Sequence, residues 1–68
     1  MQELAKKFGK AVREKRLQSG ISQDALALMA EIDRSYVGRI ERGEVNITLE
    51  KAYCLARVLG CDIRSLLP

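Results

Sequence analysis

Residues 20–43 read GISQDALALMAEIDRSYVGRIERG, and this stretch decides the architecture. Gly20 and Gly43 bracket it at places where a helix should stop, because glycine lacks the Cβ that makes the left-handed conformation costly. Ser22 and Asp33 carry short side-chain oxygens that can accept an orphan backbone N–H, so each marks a helix start. The spacing therefore predicts helices over 22–30 and 33–42, separated by about three residues. So short a connection forbids antiparallel packing and forces the two helices to cross steeply. Ala27 falls where they approach most closely, and Leu26, Ala30, Ile32, Val37 and Ile40 would close a shared core.

The same signals repeat outward. Leu4, Phe8, Ala11 and Val12 form one apolar stripe of a first helix over 3–19, with Lys6, Lys10 and Arg13 opposite as a solvated basic face. Lys15 projects toward the apolar side, its stem packed and its ammonium in water. Thr48 and Gly60 bound a fourth helix over 48–59, whose broad apolar face carries Leu49, Ala52, Tyr53, Leu55, Ala56 and Leu59. Asp62 opens a fifth over 62–67. Val45-Asn46-Ile47-Thr48 is too short for a strand between two helix signals. The expectation is an all-α, five-helix fold occupying residues 1–68 as one domain.

Composition narrows the function. The chain has 68 residues, 47% hydrophobic and 31% charged, with an aliphatic core implied by the absence of tryptophan. Such proportions exclude a disordered chain. Twelve Lys and Arg against nine Asp and Glu give a net charge of +3, which permits an anionic partner without demanding one. Cys54 and Cys61 are too few for a disulfide framework and have no metal-type spacing, so no metal site is expected. The opening residues MQELAKKFGK contain no apolar signal segment, and no run is long enough to span a membrane, so a cytoplasmic location is expected. With no histidine, phosphate loop or nucleophile beside a base, the chain is not expected to be an enzyme or to need a cofactor.

Several pieces then fall in a familiar order: Arg13 to Arg16, Ser22-Gln23-x-x-Leu26-Ala27, Asp33-Arg34-Ser35-Tyr36-Val37, Ile40-Glu41-Arg42-Gly43, and Leu55-Ala56-x-x-Leu59-Gly60 followed by Ile63 and Leu66. In this spacing, over about residues 8–67, the sequence resembles phage-repressor-like helix-turn-helix transcriptional regulators of the Cro type, the xenobiotic-response-element family. The segment DRSYVGRIERGEVNIT looks especially like the controller proteins of restriction–modification systems. One position departs from the pattern: Glu31 occupies the turn position that is often glycine.

The resemblance assigns roles to named residues. Arg34, Ser35, Gly38 and Arg39 match base-facing positions of the recognition helix, where arginine can grip guanine O6 and N7. Gln23 matches a phosphate-clamping glutamine at the second helix's N-terminus, with Ser22 beside it. Tyr36, Arg42 and Asn46 match positions that touch the sugar-phosphate backbone. Arg16 and Glu41 resemble a structural ion pair that fixes the reading helix.

The implied partner is a double-stranded DNA operator, near-palindromic and bound by a homodimer, with no membrane and no small-molecule ligand evident. Cys54 and Val58 lie on the less apolar side of the fourth helix. With Ile63, Leu66 and Leu67 they suggest the dimer patch. Two other readings share this framework: a helix-turn-helix module that binds a protein, and a DNA-binding antitoxin with a protein partner. Arg34, Arg39 and Arg42 against Glu41 alone, across residues 34–42, favour DNA.

Overall fold

A computed structural model describes residues 2–68. It contains helices α1 (Gln2–Gln18), α2 (Gln23–Ala30), α3 (Arg34–Glu41) and α4 (Leu49–Leu59), followed by a single 3-10 turn, Ile63–Ser65. No strand occurs among the described residues, and Val45–Thr48 is an extended loop leading into α4.

The expected fifth helix is replaced by the 3-10 turn, and local bonding gives the reason. The Asp62 carboxylate accepts from the Arg64 amide at 2.8 Å, and the Ser65 amide donates to the Asp62 carbonyl at 2.9 Å. The Leu66 amide then donates to Ile63, so the chain turns with three-residue spacing and drives Leu66 into the core. Side-chain caps form as expected at Ser22, Thr48 and Asp62. Asp33 occupies the N-cap position of α3 but makes no side-chain cap bond.

Each α-helix ends alike. Gly20, Glu31, Gly43 and Gly60 take positive φ, and the next residue's amide reaches back to a carbonyl five residues earlier, as from Ile32 to Ala27 at 3.0 Å. Glu31 thus adopts the left-handed conformation, with φ 59°. Helix α1 crosses α3 so closely that a Cβ on Gly9 would collide with the Ile40 carbonyl. One on Gly43 would lie 2.6 Å from the Lys6 Cα. These contacts set how α3 sits on the molecule.

Val12, Leu26, Val37, Leu55 and Leu66 are the largest fully buried side chains, joined by Phe8, Ala27, Ala30, Ile40, Ala52, Ala56 and Leu59. Ile32 is only partly buried. Leu4, Leu49 and Tyr53, expected on inward faces, are exposed. Leu4, Leu49 and Leu67 instead frame an open apolar groove of about 480 Å³ over Phe8 and Ile40.

Candidate nucleic-acid interface

The α3 sequence Arg34–Glu41 is amphipathic: Val37 and Ile40 are buried, whereas Arg34, Ser35 and Arg39 face outward. The inner face is fixed by ionic as well as apolar contacts. The Arg16 Nε donates to Glu41 Oε2 at 2.6 Å and Nη2 to Oε1 at 3.1 Å, while Nη1 reaches the Ile21 carbonyl at 3.0 Å. The two side chains are 9% and 3% exposed, so the predicted ion pair is present and nearly desolvated. The hydrogen bond to Glu41 holds the Arg16 guanidinium's pKa above its ordinary value, and burial only partly opposes this.

Gln23 joins that network, its Nε2 donating to Glu41 Oε1 at 3.0 Å. Its amide is therefore oriented from behind by the same carboxylate that holds Arg16. Ser22 is exposed at the N-terminus of α2, and its Oγ accepts from the Ala25 amide at 3.0 Å. Three residues separate α2 from α3, so the α2 N-terminus and the outer edge of α3 belong to one contiguous element pair.

The other expected positions divide. Arg42 is exposed but engaged: Nε donates to Glu44 Oε2 at 2.8 Å and Nη2 to Oε1 at 3.3 Å. That pair lowers the Glu44 carboxyl's pKa and raises that of Arg42. The same guanidinium lies over Gly38, with Nη1 3.1 Å from the place a Cβ would take, and Gly38 is buried beneath it. Gly38 therefore faces a base edge only if Arg42 moves aside. Tyr36 is half-buried at a shallow depression shared with Ile32 and Lys51, and Asn46 is exposed on the loop before α4.

Two acidic residues on this face escaped the sequence reading. Asp24 Oδ1 stands 2.9 Å from Arg34 Nε, and Glu44 holds Arg42. The signal for the first was available in principle, since a steep crossing with a three-residue turn brings the starts of both helices near one another.

On the opposite side, Cys54, Val58 and Ile63 are half-buried and Leu67 is exposed, but Leu66 is 1% exposed. Leu66 belongs to the monomer core and offers no surface to a second copy. Leu28 on α2, a large apolar side chain that the sequence reading passed over, is 81% exposed.

The helix-turn-helix family model matches residues 12–66. The chain belongs to the helix-turn-helix family of transcriptional regulators. Among its relatives in that family, it is 38% identical over 61 residues to the control protein C.BamHI of Bacillus amyloliquefaciens, covering 88% of this chain and 75% of that protein. It superposes on the crystal structure of the restriction–modification controller protein C.AhdI from Aeromonas hydrophila with a TM-score of 0.88 and 43% identity, over 93% of this chain and 91% of that one. The fold also recurs within hydroxypropylphosphonic acid epoxidase from S. wedmorenis, with a TM-score of 0.93 and 28% identity, but there it spans 36% of the longer chain. The match thus takes in most of the two controller proteins' length, but only about a third of the enzyme's. Among the described residues no helix is long and apolar enough to cross a membrane.

Proposed function

We propose that this helix-turn-helix regulator reads a near-palindromic operator in double-stranded DNA as a homodimer, in the manner of a restriction–modification controller. The observation that carries this reading is the outer edge of α3. Arg34, Ser35 and Arg39 project from a helix whose inner face is locked by Val37, Ile40 and the Arg16–Glu41 pair. A short cationic helix held rigidly at a steep angle to its predecessor is the shape that enters a major groove with its N-terminal turns.

In this reading Arg34, Ser35 and Arg39 touch base edges, and Gly38 allows close approach once Arg42 has swung off it. Ser22, Gln23, Tyr36, Arg42 and Asn46 contact the backbone and set the register, a division of labour usual for such interfaces. Arg42 exchanges Glu44 for a phosphate as it moves. Two copies pair through Cys54, Val58, Ile63 and Leu67, placing their α3 helices about one DNA turn apart, roughly 34 Å. The protein acts in the cytoplasm, and control follows from its concentration through dimerisation and operator occupancy.

Selection of binding sites from random duplex DNA tests this directly. The expected product is one motif with two-fold symmetry and half-sites one turn apart. Binding that shows no preference over bulk competitor DNA, at low salt and high protein concentration, overturns it.

A further inference from the structure

We propose that Asp24 is a specificity-determining positioning residue: its carboxylate fixes the Arg34 guanidinium for a base edge and weakens its pull on phosphates. The inference rests on the reading of Arg34 as a base contact. Asp24 lies in the first turn of α2 and Arg34 opens α3, so the crossing of the two helices places them face to face. Their side chains are 74% and 67% exposed, and the approach is 2.9 Å, from Oδ1 to Nε.

The nitrogen involved matters. Nε is the inner nitrogen of the guanidinium, so a carboxylate beside it attracts the side chain at its stem by charge and leaves the outer nitrogens uncovered. A guanidinium braced in this way can offer its outer edge, Nη1 and Nη2, to guanine O6 and N7 as a two-pronged grip. An unbraced arginine on a surface samples many rotamers, and ordering it on DNA costs conformational entropy. Bracing removes part of that cost before DNA arrives. Arg42 is arranged otherwise, for Glu44 occupies both Nε and Nη2 and the remaining nitrogen lies over Gly38. That arginine must release its carboxylate to reach DNA, whereas Arg34 can keep its own.

The same carboxylate discriminates against random DNA. A phosphate is recognised chiefly by charge, and a guanidinium already beside a carboxylate carries little net charge outward. Guanine is recognised by directed hydrogen bonds, which the neighbouring carboxylate leaves intact. Asp24 also places a negative charge beside the α2 N-terminus, where Gln23 and Ser22 would meet phosphate. That charge weakens phosphate contacts on every duplex, so the gain of operator over random DNA comes from the placement of Arg34 alone.

The test compares wild type with D24N, D24E, R34A and D24N/R34A, by site selection and by binding to the selected duplex and a random duplex. Asp24 is exposed, so the fold does not depend on it. In wild type one base pair should show a preference that R34A abolishes. D24N should lose about two- to fivefold of that preference while gaining a similar factor on random DNA, as expected of an exposed pair. D24E, which keeps the charge, should retain the preference. In the R34A background, with no arginine left to place, D24N should raise binding to both duplexes alike and alter no base preference. Equal shifts on both duplexes with the base preference unaltered would reduce Asp24 to bulk charge and overturn the proposal. Failure to select any site removes the base-reading function and the proposal with it. A selected site indifferent to R34A removes Arg34 as reader, and again the proposal falls.

Discussion

The Arg16 guanidinium uses three nitrogens inside the protein, two on Glu41 and one on the Ile21 carbonyl, and Gln23 adds its amide to the same carboxylate. Glu41 is thus a junction between α1, the start of α2 and the end of α3. Removing it strands a nearly buried cation, a change that costs about 3–5 kcal/mol where no water can replace the partner. Glu41→Ala should lower the urea midpoint by a large fraction of a small domain's stability, and an unchanged midpoint would show that solvent reaches Arg16 freely. Outward-facing residues should behave differently. Arg39→Ala should lose affinity mainly for the cognate operator, about 1–3 kcal/mol, and relax preference at one or two base pairs. Gln23→Ala should weaken all duplexes alike; because Gln23 also braces Glu41, its melting curve must be recorded beside its binding curve. Uniform weakening by Arg39→Ala, or selective weakening by Gln23→Ala, would exchange their roles.

Among the helices, the turn between α2 and α3 is the strained place. Glu31 has φ 59° and still completes the same termination that Gly20, Gly43 and Gly60 complete without strain. A left-handed non-glycine residue costs about 1–2 kcal/mol, while glycine's greater freedom in the unfolded chain takes back part of the gain. Glu31→Gly should therefore stabilise the protein by about 0.5–1 kcal/mol in chemical denaturation; destabilisation would mean that the side chain makes a contact worth more than the strain. This element pair was also the most legible from sequence. Ser22, Ala27, Val37 and Gly43 are read from local rules, because caps, periodicity and left-handed glycines act within a few residues. What escaped depends on how helices meet. Gly9 looks like an ordinary weak point inside α1 until the Ile40 carbonyl is seen against it. Leu4 and Leu49 have the right period for a core, yet they overhang it at helix ends, and Leu66 turns inward because a 3-10 turn advances by three residues per bond and not by four. The Asp24–Arg34 pair follows only once the crossing of α2 and α3 is drawn out, whereas Glu44 lies just two residues from Arg42 and was open to a local reading.

For the assembled molecule, the decisive quantity is how two copies associate. Each chain carries +3, so the proposed pair would carry +6 onto DNA and would need apolar contact to offset mutual repulsion. Cys54 and Val58 sit one helical turn apart on α4, with Ile63 following and Leu67 exposed beyond. In the proposed dimer their still-exposed parts would supply the apolar contact, and with Leu66 withdrawn the face would be small, which suits a dimer that forms only as protein accumulates. In the proposed interface Val58→Glu would put an unpaired carboxylate into the apolar contact of each copy. Sedimentation equilibrium should then return a monomer at concentrations where wild type is dimeric, with helical content unchanged by circular dichroism. Operator affinity should fall steeply while a single half-site is bound as before, because α3 and its supporting ion pair are untouched. A wild type that stays monomeric at operator-binding concentrations would remove the dimer from the mechanism. A Val58→Glu protein that remains dimeric would move the interface elsewhere, and the exposed Leu28 and Tyr53 would be the next residues to substitute.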